Sequence, residues 1–200
     1  MWKRVLKKTA ILFGIMMILC GLLYTLAVTG ISRLLFGGKA DGSIIEIDGV
    51  KYGSGLLGQQ YTDESHLWGR IVLADTSLVN ENGETVVYAW ASNKSPAGEE
   101  FESAVAERVA MIQEANPDAE MEAIPVELVT CSGSGLDPHI SPAAAEYQVP
   151  RIAKEKGIME DEVRAVIKRY TQGKLLGILG EETVNVLKVN LALDGILTES

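Results

Sequence analysis

At 200 residues, 47% hydrophobic and 22% charged, the chain is too apolar to be disordered and suits one domain plus an accessory segment. A formal net charge of −9 argues against nucleic acid as a partner, because binding its phosphates requires a basic surface. The two cysteines, Cys20 and Cys131, fall in different regions, so no intrachain disulfide is expected to staple the domain.

Lys3, Arg4, Lys7 and Lys8 make residues 1–8 a basic tail. From Thr9 to Ser32 the chain reads TAILFGIMMILCGLLYTLAVTGIS, 24 residues without a charge. At about 1.5 Å per residue that helix is roughly 36 Å long, enough for a hydrocarbon core of about 30 Å. A cleaved signal peptide would have a shorter apolar core ending in small residues, and no A-x-A pattern closes this one. A lipid-modified Cys20 would want a small residue where Leu19 stands. The expectation is an uncleaved transmembrane helix at 9–32.

Only Arg33 and Lys39 follow the span closely, so the positive-inside rule places the amino terminus in the cytoplasm and residues 33–200 outside. Setting aside the four basic residues of the tail leaves 14 Lys and Arg against 27 Asp and Glu, a net −13 for the rest. Such a surface favours solubility and concentrates cations.

GGKADG (37–42) reads as a linker. SIIEIDGVKYG (43–53) reads as a hairpin turning at Asp48-Gly49. HLWGRIVL (66–73) and ETVVYAWA (84–91) are further extended runs, with Val86, Tyr88 and Trp90 alternating in the second. Ser95-Pro96 signals a helix start, and Phe101, Val105, Val109 and Ile112 recur at helical spacing until Asn116-Pro117. AIPVELVTC (123–131) predicts a strand with Ile124, Val126 and Leu128 on one face. Ser141-Pro142 opens another helix, which Pro150 breaks or restarts and Gly157 closes. EDEVRAVIKRYTQG (160–173) is a helix stopped by Gly173. TVNVLKVNLALD (183–194) alternates through Leu187, Val189, Leu191 and Leu193 and predicts a final strand. The sum is a mixed α/β extracytoplasmic domain on a single N-terminal transmembrane helix.

The chemistry-bearing stretch is SGSGLDPHISP, residues 132–142. It lacks the glycine two positions before Ser134 that a nucleophile elbow needs, and no lysine follows Gly135 as in a P-loop. Ser134, Asp137 and His139 assemble a hydrolytic triad only on paper, since Asp137-Pro138-His139 is short and stiff. With His66 and His139 the only histidines and no HExxH, a zinc site is not expected. The bland reading is a rigid turn: Gly133 and Gly135 relax the backbone, Asp137 bonds nearby amides, and Ser141 caps a helix.

LVTCSGSGLDPHISPAAAEYQVPRIAKEKG (128–157) and LLGILGEETVNVLKVNLALDGIL (175–197), with GSGLLGQQY and LWGR between residues 53 and 70, resemble the C-subunit family of bacterial Kdp potassium-transporting ATPases. The likeness runs over nearly the whole chain. One departure is residues 88–97, YAWASNKSPA, where the family tends to carry a glycine- and serine-rich stretch, so a nucleotide-contacting role ascribed to that stretch is not carried over. Pro150 is local to this sequence. The resemblance implies a non-catalytic subunit in the bacterial cell membrane, surrounded by membrane lipid. Its partners would be a P-type ATPase subunit that binds ATP, a channel-like subunit that handles potassium, and a very small membrane subunit. The family role is assembly and a raised ATP affinity of the ATPase subunit, a "catalytic chaperone"; with residues 33–200 outside, that effect would be indirect. Candidate interaction or structural residues are then Ser132, Gly133, Ser134, Gly135, Asp137, His139 and Ser141. No cofactor is expected on the chain itself. Two other readings are an anchored serine hydrolase using Ser134, Asp137 and His139, and an anchored domain that binds a small ligand.

Overall fold

The computed structural model describes residues 2–79, 83, 85–119 and 123–198, and the chain divides into two units after Ile45. In the first, helices α1 (Trp2–Met16) and α2 (Thr25–Ala40) are joined by a π-wound stretch, Met17–Tyr24. Together they run 39 residues from Trp2 to Ala40, long and apolar enough to cross a membrane. The helix is therefore longer than the span predicted at 9–32, and it takes in the basic tail. It also takes in Gly37–Ala40, which shrinks the expected linker to Asp41–Ser43.

The second unit begins in a hairpin of β1 (Ile44–Ile47) and β2 (Val50–Ser54). Asp48 at φ 51° and Gly49 at φ 78° supply the left-handed pair that a two-residue turn of this kind requires. The run at 66–73 is not a strand: it makes one parallel bridge, Ile71 to Cys131. The strand comes just after it, β3 (Ala74–Val79), antiparallel to β4 (Thr85–Ala89). β4 is the core of the strand expected at 84–91: Trp90 and Ala91 fall beyond its end, and Glu84 and the Val86 side chain lie outside the described residues.

Helix α3 (Glu99–Ala115) starts later than Ser95-Pro96 suggested, with Gly98 in the cap position. Ser95 closes a turn instead, its carbonyl accepting from Gly98 N at 2.9 Å. Three of the four residues of the expected face join the core: Ile112 is buried and Val105 and Val109 pack against it, while Phe101 at the helix start does not. The predicted strand at 123–131 is a single helical turn, α4 (Val126–Val129). Leu128 and its neighbour Val129 are both buried while Val126 is 67% exposed, a pattern that strand alternation forbids.

Ser141 Oγ accepts from Ala144 N at 3.1 Å and Pro142 opens α5 (Pro142–Glu146), as the cap-and-proline signal predicted. Pro150 restarts the chain in α6 (Val149–Lys156), and Gly157 ends it at φ 66°. Helix α7 (Glu160–Arg169) stops before Gly173 because Thr171–Gln172 leaves as strand β6. The final predicted strand survives only as β7 (Thr183–Asn185); residues Val186–Leu193 form helix α8. Asn185 is its cap, accepting from Lys188 N at 3.1 Å, and that side-chain bond turns the chain from strand to helix. β7 is central in a small antiparallel sheet with β5 (His139–Ile140) and β6. Helices α3 and α5–α8 gather round it, with Val149, Ile152, Val163, Val184 and Val189 fully buried. Each such side chain contributes roughly 1.5–3 kcal/mol through removal of apolar surface from water.

Candidate functional site

The loop between α4 and β5 consumes its own polar groups. Ser132 O accepts from Gly135 N at 3.2 Å. Ser132 Oγ accepts from Asp137 N at 3.3 Å, Ser134 Oγ from Leu136 N at 3.2 Å, and Asp137 Oδ1 from His139 N at 3.0 Å. Serine and aspartate bonds to nearby amides of this kind fix turns. Gly135 sits at φ 72°, and a Cβ there would lie 2.4 Å from Trp90 O; its carbonyl accepts from Leu73 N at 2.9 Å. Gly133 is exposed and meets nothing within 4 Å. Ser141 N donates to Glu127 Oε1 at 2.5 Å.

Asp137 and His139 each face a residue from another segment. Asp137 Oδ2 lies 3.2 Å from Arg70 Nε. This is an ion pair without a directed hydrogen bond, for the buried Nε has no hydrogen-bond acceptor among the described residues. His139 Nδ1 is 3.6 Å from Asp137 Oδ1, and its Nε2 is 3.4 Å from Asn185 Nδ2. Asn185 Nδ2 also donates to Gly55 O at 2.8 Å.

A triad needs the serine oxygen at that same Nε2. Ser134 Oγ instead contacts Ser132 Oγ at 3.2 Å, and no hydrogen bond joins it to His139. The structure brings Asp137 and His139 together and leaves Ser134 outside. Among the described residues no group of three His, Cys, Asp or Glu converges for a metal. His139 and Asn185 border a cleft of about 270 Å³, which Arg169 and Lys188 also line.

Sequence reasoning missed a second arrangement, the clamp on LWGR. Gln148, fully buried, accepts from Trp68 N at 2.8 Å and donates to Trp68 O at 3.0 Å. Asn190 does the same for Leu67, accepting at 2.7 Å and donating at 3.0 Å. Two side-chain amides thus replace the neighbouring strand that this extended segment lacks. Arg151 stacks 4.5 Å over the Trp68 ring and donates to Gln148 Oε1, Asn116 Oδ1 and the carbonyls of Glu64 and His66. Burial pushes its guanidinium down to about 10, against the pull of Glu64, Asp63 and Glu155. Arg108 approaches the same ring at 5.4 Å. The one signal in the sequence was a glutamine just before Val149 and an asparagine inside the apolar run 186–193.

Segments far apart in the chain therefore hold one another. Gly58 N donates to Leu136 O at 2.8 Å, and a Cβ on Gly58 would sit 2.7 Å from Asp137 O. Arg70 meets Asp137, Leu67 meets Asn190, and Gly55 meets Asn185. These are the blocks that carried the family resemblance. The family model described as K+-transporting ATPase, c chain, matches residues 6–195. The chain belongs to the KdpC family. It is 58% identical over 197 residues to the potassium-transporting ATPase KdpC subunit of Clostridium botulinum (strain Alaska E43 / Type E3), covering 98% of both chains. The KdpC subunit of Clostridium perfringens is 54% identical, with 98% of this chain and 100% of the relative covered. That of Polaromonas naphthalenivorans is 42% identical over 194 residues, covering 97% and 96%. The family match begins inside α1, runs through α2 and ends just past α8.

Proposed function

We propose that this KdpC-family chain is an accessory subunit of an ATP-driven potassium-uptake pump, held in the membrane by its N-terminal helix. The observation that carries the reading is the family match across residues 6–195. No residue of the apolar stretch Trp2–Ala40 is buried, which suits a segment whose solvent is lipid or other spans. The charge bias around it supports a cytoplasmic amino terminus and an outer domain. Placed so, the domain acts on ATP affinity through the span or through a channel-like partner, while ATP stays with the ATPase subunit and potassium with the channel-like one.

In this reading the 132–142 loop is a shaped docking element. Gly133 and Ser134 form its exposed tip, and Asp137 and His139 stand behind them as supports. The test is a mild-detergent pull-down of the tagged chain from potassium-starved cells, with uptake measured at micromolar potassium. Wild type should recover a P-type ATPase and a multi-span potassium subunit in stoichiometric amounts, and Asp137→Ala or His139→Ala should lower recovery or uptake. Recovery of the chain alone, or variants that assemble and transport unchanged, would refute the reading.

A further inference from the structure

The turn between β6 and β7 exposes a run of large aliphatic side chains. Leu175, Leu176, Ile178 and Leu179 are 66, 82, 78 and 55% exposed, and only Gly177 interrupts them. The turn is closed on itself: Leu175 N donates to Leu179 O at 2.8 Å, and Leu179 N to Leu175 O at 3.0 Å. Leu176 is held at φ 55°, a left-handed conformation that a leucine adopts only against strain. A backbone strained to present four aliphatic side chains to water makes physical sense when something apolar receives them.

The base of the turn is cationic. Residues 168–188 carry Lys168, Arg169, Lys174 and Lys188 against Glu181 and Glu182, in a chain whose net charge is −9. Lys174 engages Glu181 at 2.9 Å. Lys188 and Arg169 line the cleft at the stem of the turn, beside Thr171, Gln172 and Thr183 of β6 and β7. Aliphatic groups at a tip with basic groups behind them match a lipid surface, where the former enter the acyl boundary and the latter meet headgroup phosphates. Protein hot spots centre on Trp, Tyr or Arg, with Leu under-represented, and this tip contains no aromatic. Only Asp41–Ser43 separate α2 from β1. In an anchored chain the bilayer is thus always at high effective concentration, and weak insertion suffices.

We propose that the Lys174–Gly180 turn is a second membrane contact, inserting Leu175, Leu176, Ile178 and Leu179 into an anionic leaflet with Lys188 and Arg169 facing its phosphates. It rests on the membrane anchoring proposed above for proximity alone. The test uses the full chain carrying Cys20→Ser, Cys131→Ser and Ile178→Cys, with a nitrobenzoxadiazole label at 178. The labelled chain is reconstituted into phosphatidylcholine vesicles with or without phosphatidylglycerol. Nitroxide-bearing acyl chains should quench the label about twofold or more in vesicles with the anionic lipid. A label at Glu107→Cys, on the exposed side of α3, should stay unquenched. Omitting phosphatidylglycerol, or adding Arg169→Gln and Lys188→Gln, should remove most of the quenching. A label at 178 as water-exposed as that at 107 overturns the proposal. So does quenching that ignores the anionic lipid, and so does shielding that appears only when other pump subunits are added, which would mean a protein dock. Alkaline-carbonate extraction of the same vesicles reads the helix anchor separately, so either idea can fail alone.

Discussion

Replacing Gln148 by leucine keeps the volume of a fully buried side chain and removes its amide. Trp68 N and Trp68 O then lose the partners at 2.8 and 3.0 Å, and Arg151 Nη2 loses its acceptor at 2.7 Å. A buried polar group left without a partner costs about 1–3 kcal/mol, so the three together put the loss at roughly 3–9 kcal/mol. That is a large part of the ~5–15 kcal/mol that holds a typical domain. The assay is urea unfolding of the full chain in mild detergent, followed through Trp68 with Trp2 and Trp90 changed to phenylalanine. Gln148→Glu, which keeps an acceptor for Trp68 N and Arg151 and loses the donor, should fall between wild type and leucine. Gln172→Leu, on the exposed side of β6, should stay within about 0.5 kcal/mol of wild type. Because Trp68 stands two residues before Arg70, the same change should loosen the Arg70–Asp137 pair and lower complex assembly. A loss under about 1 kcal/mol for Gln148→Leu would refute the clamp, because it would show that water or neighbouring groups replace the amide.

Two glycines of the loop separate shape from surface. Gly135→Ala must take a left-handed φ and meets Trp90 O at 2.4 Å, so it should cost about 2 kcal/mol or more and reduce assembly. Gly133→Ala, with open space around it, should move the unfolding midpoint by less than about 0.5 kcal/mol. Acid should expose the Asp194 network. Burial alone would raise that carboxyl, but hydrogen bonds from Lys156 at 2.7 Å and His66 at 3.0 Å hold it below its ordinary 3.8. A depressed folded value adds stability above the unfolded one and loses it as pH falls through the folded one. The urea-midpoint gap between wild type and Asp194→Asn should therefore be complete above about pH 5 and shrink below about pH 4. A gap that widens in acid would contradict the assignment.

The parts of the fold legible in the sequence were those with local chemistry of their own. Asp48-Gly49 specified a turn, Ser141-Pro142 a helix start, and Gly157 a helix end, because each acts through its own backbone angles or one short hydrogen bond. Apolar spacing failed where tertiary partners decided the outcome. Residues 186–193 alternate well enough for a strand, yet Val186, Leu187, Asn190 and Leu191 also share a helical face. The Asn185 cap and the Asn190–Leu67 amide pair choose the helix. At 126–129 the deciding partner is Arg108, whose Nε donates to Leu128 O at 2.9 Å from another helix. The 66–73 run read as a strand, but Leu67 and Trp68 are held by the side chains of Asn190 in α8 and of Gln148 at the entrance to α6, which no periodicity in the run itself encodes.

The candidate loop shows the same limit from the functional side. Its serines, aspartate and histidine read as reactive because residue type was visible and the occupation of each polar atom was not. In the fold Ser132, Ser134 and Asp137 accept from loop amides, and His139 stands between Asp137 and Asn185. Groups used in this way cannot be freely aimed at a substrate; what they supply is a fixed contour. The loop's contour is set by Gly58, Leu73, Trp90 and Glu127, one residue from each of four other segments. A contour fixed by so many segments is costly to deform, and that rigidity would lower the ordering cost of the docking proposed for it. The apolar 175–179 turn has the opposite design, a short projection closed on itself with Leu176 strained at its tip. A stiff polar loop for a protein partner and an apolar turn for lipid would give an anchored domain two contacts of unlike chemistry, which makes its orientation on the pump a matter of both at once.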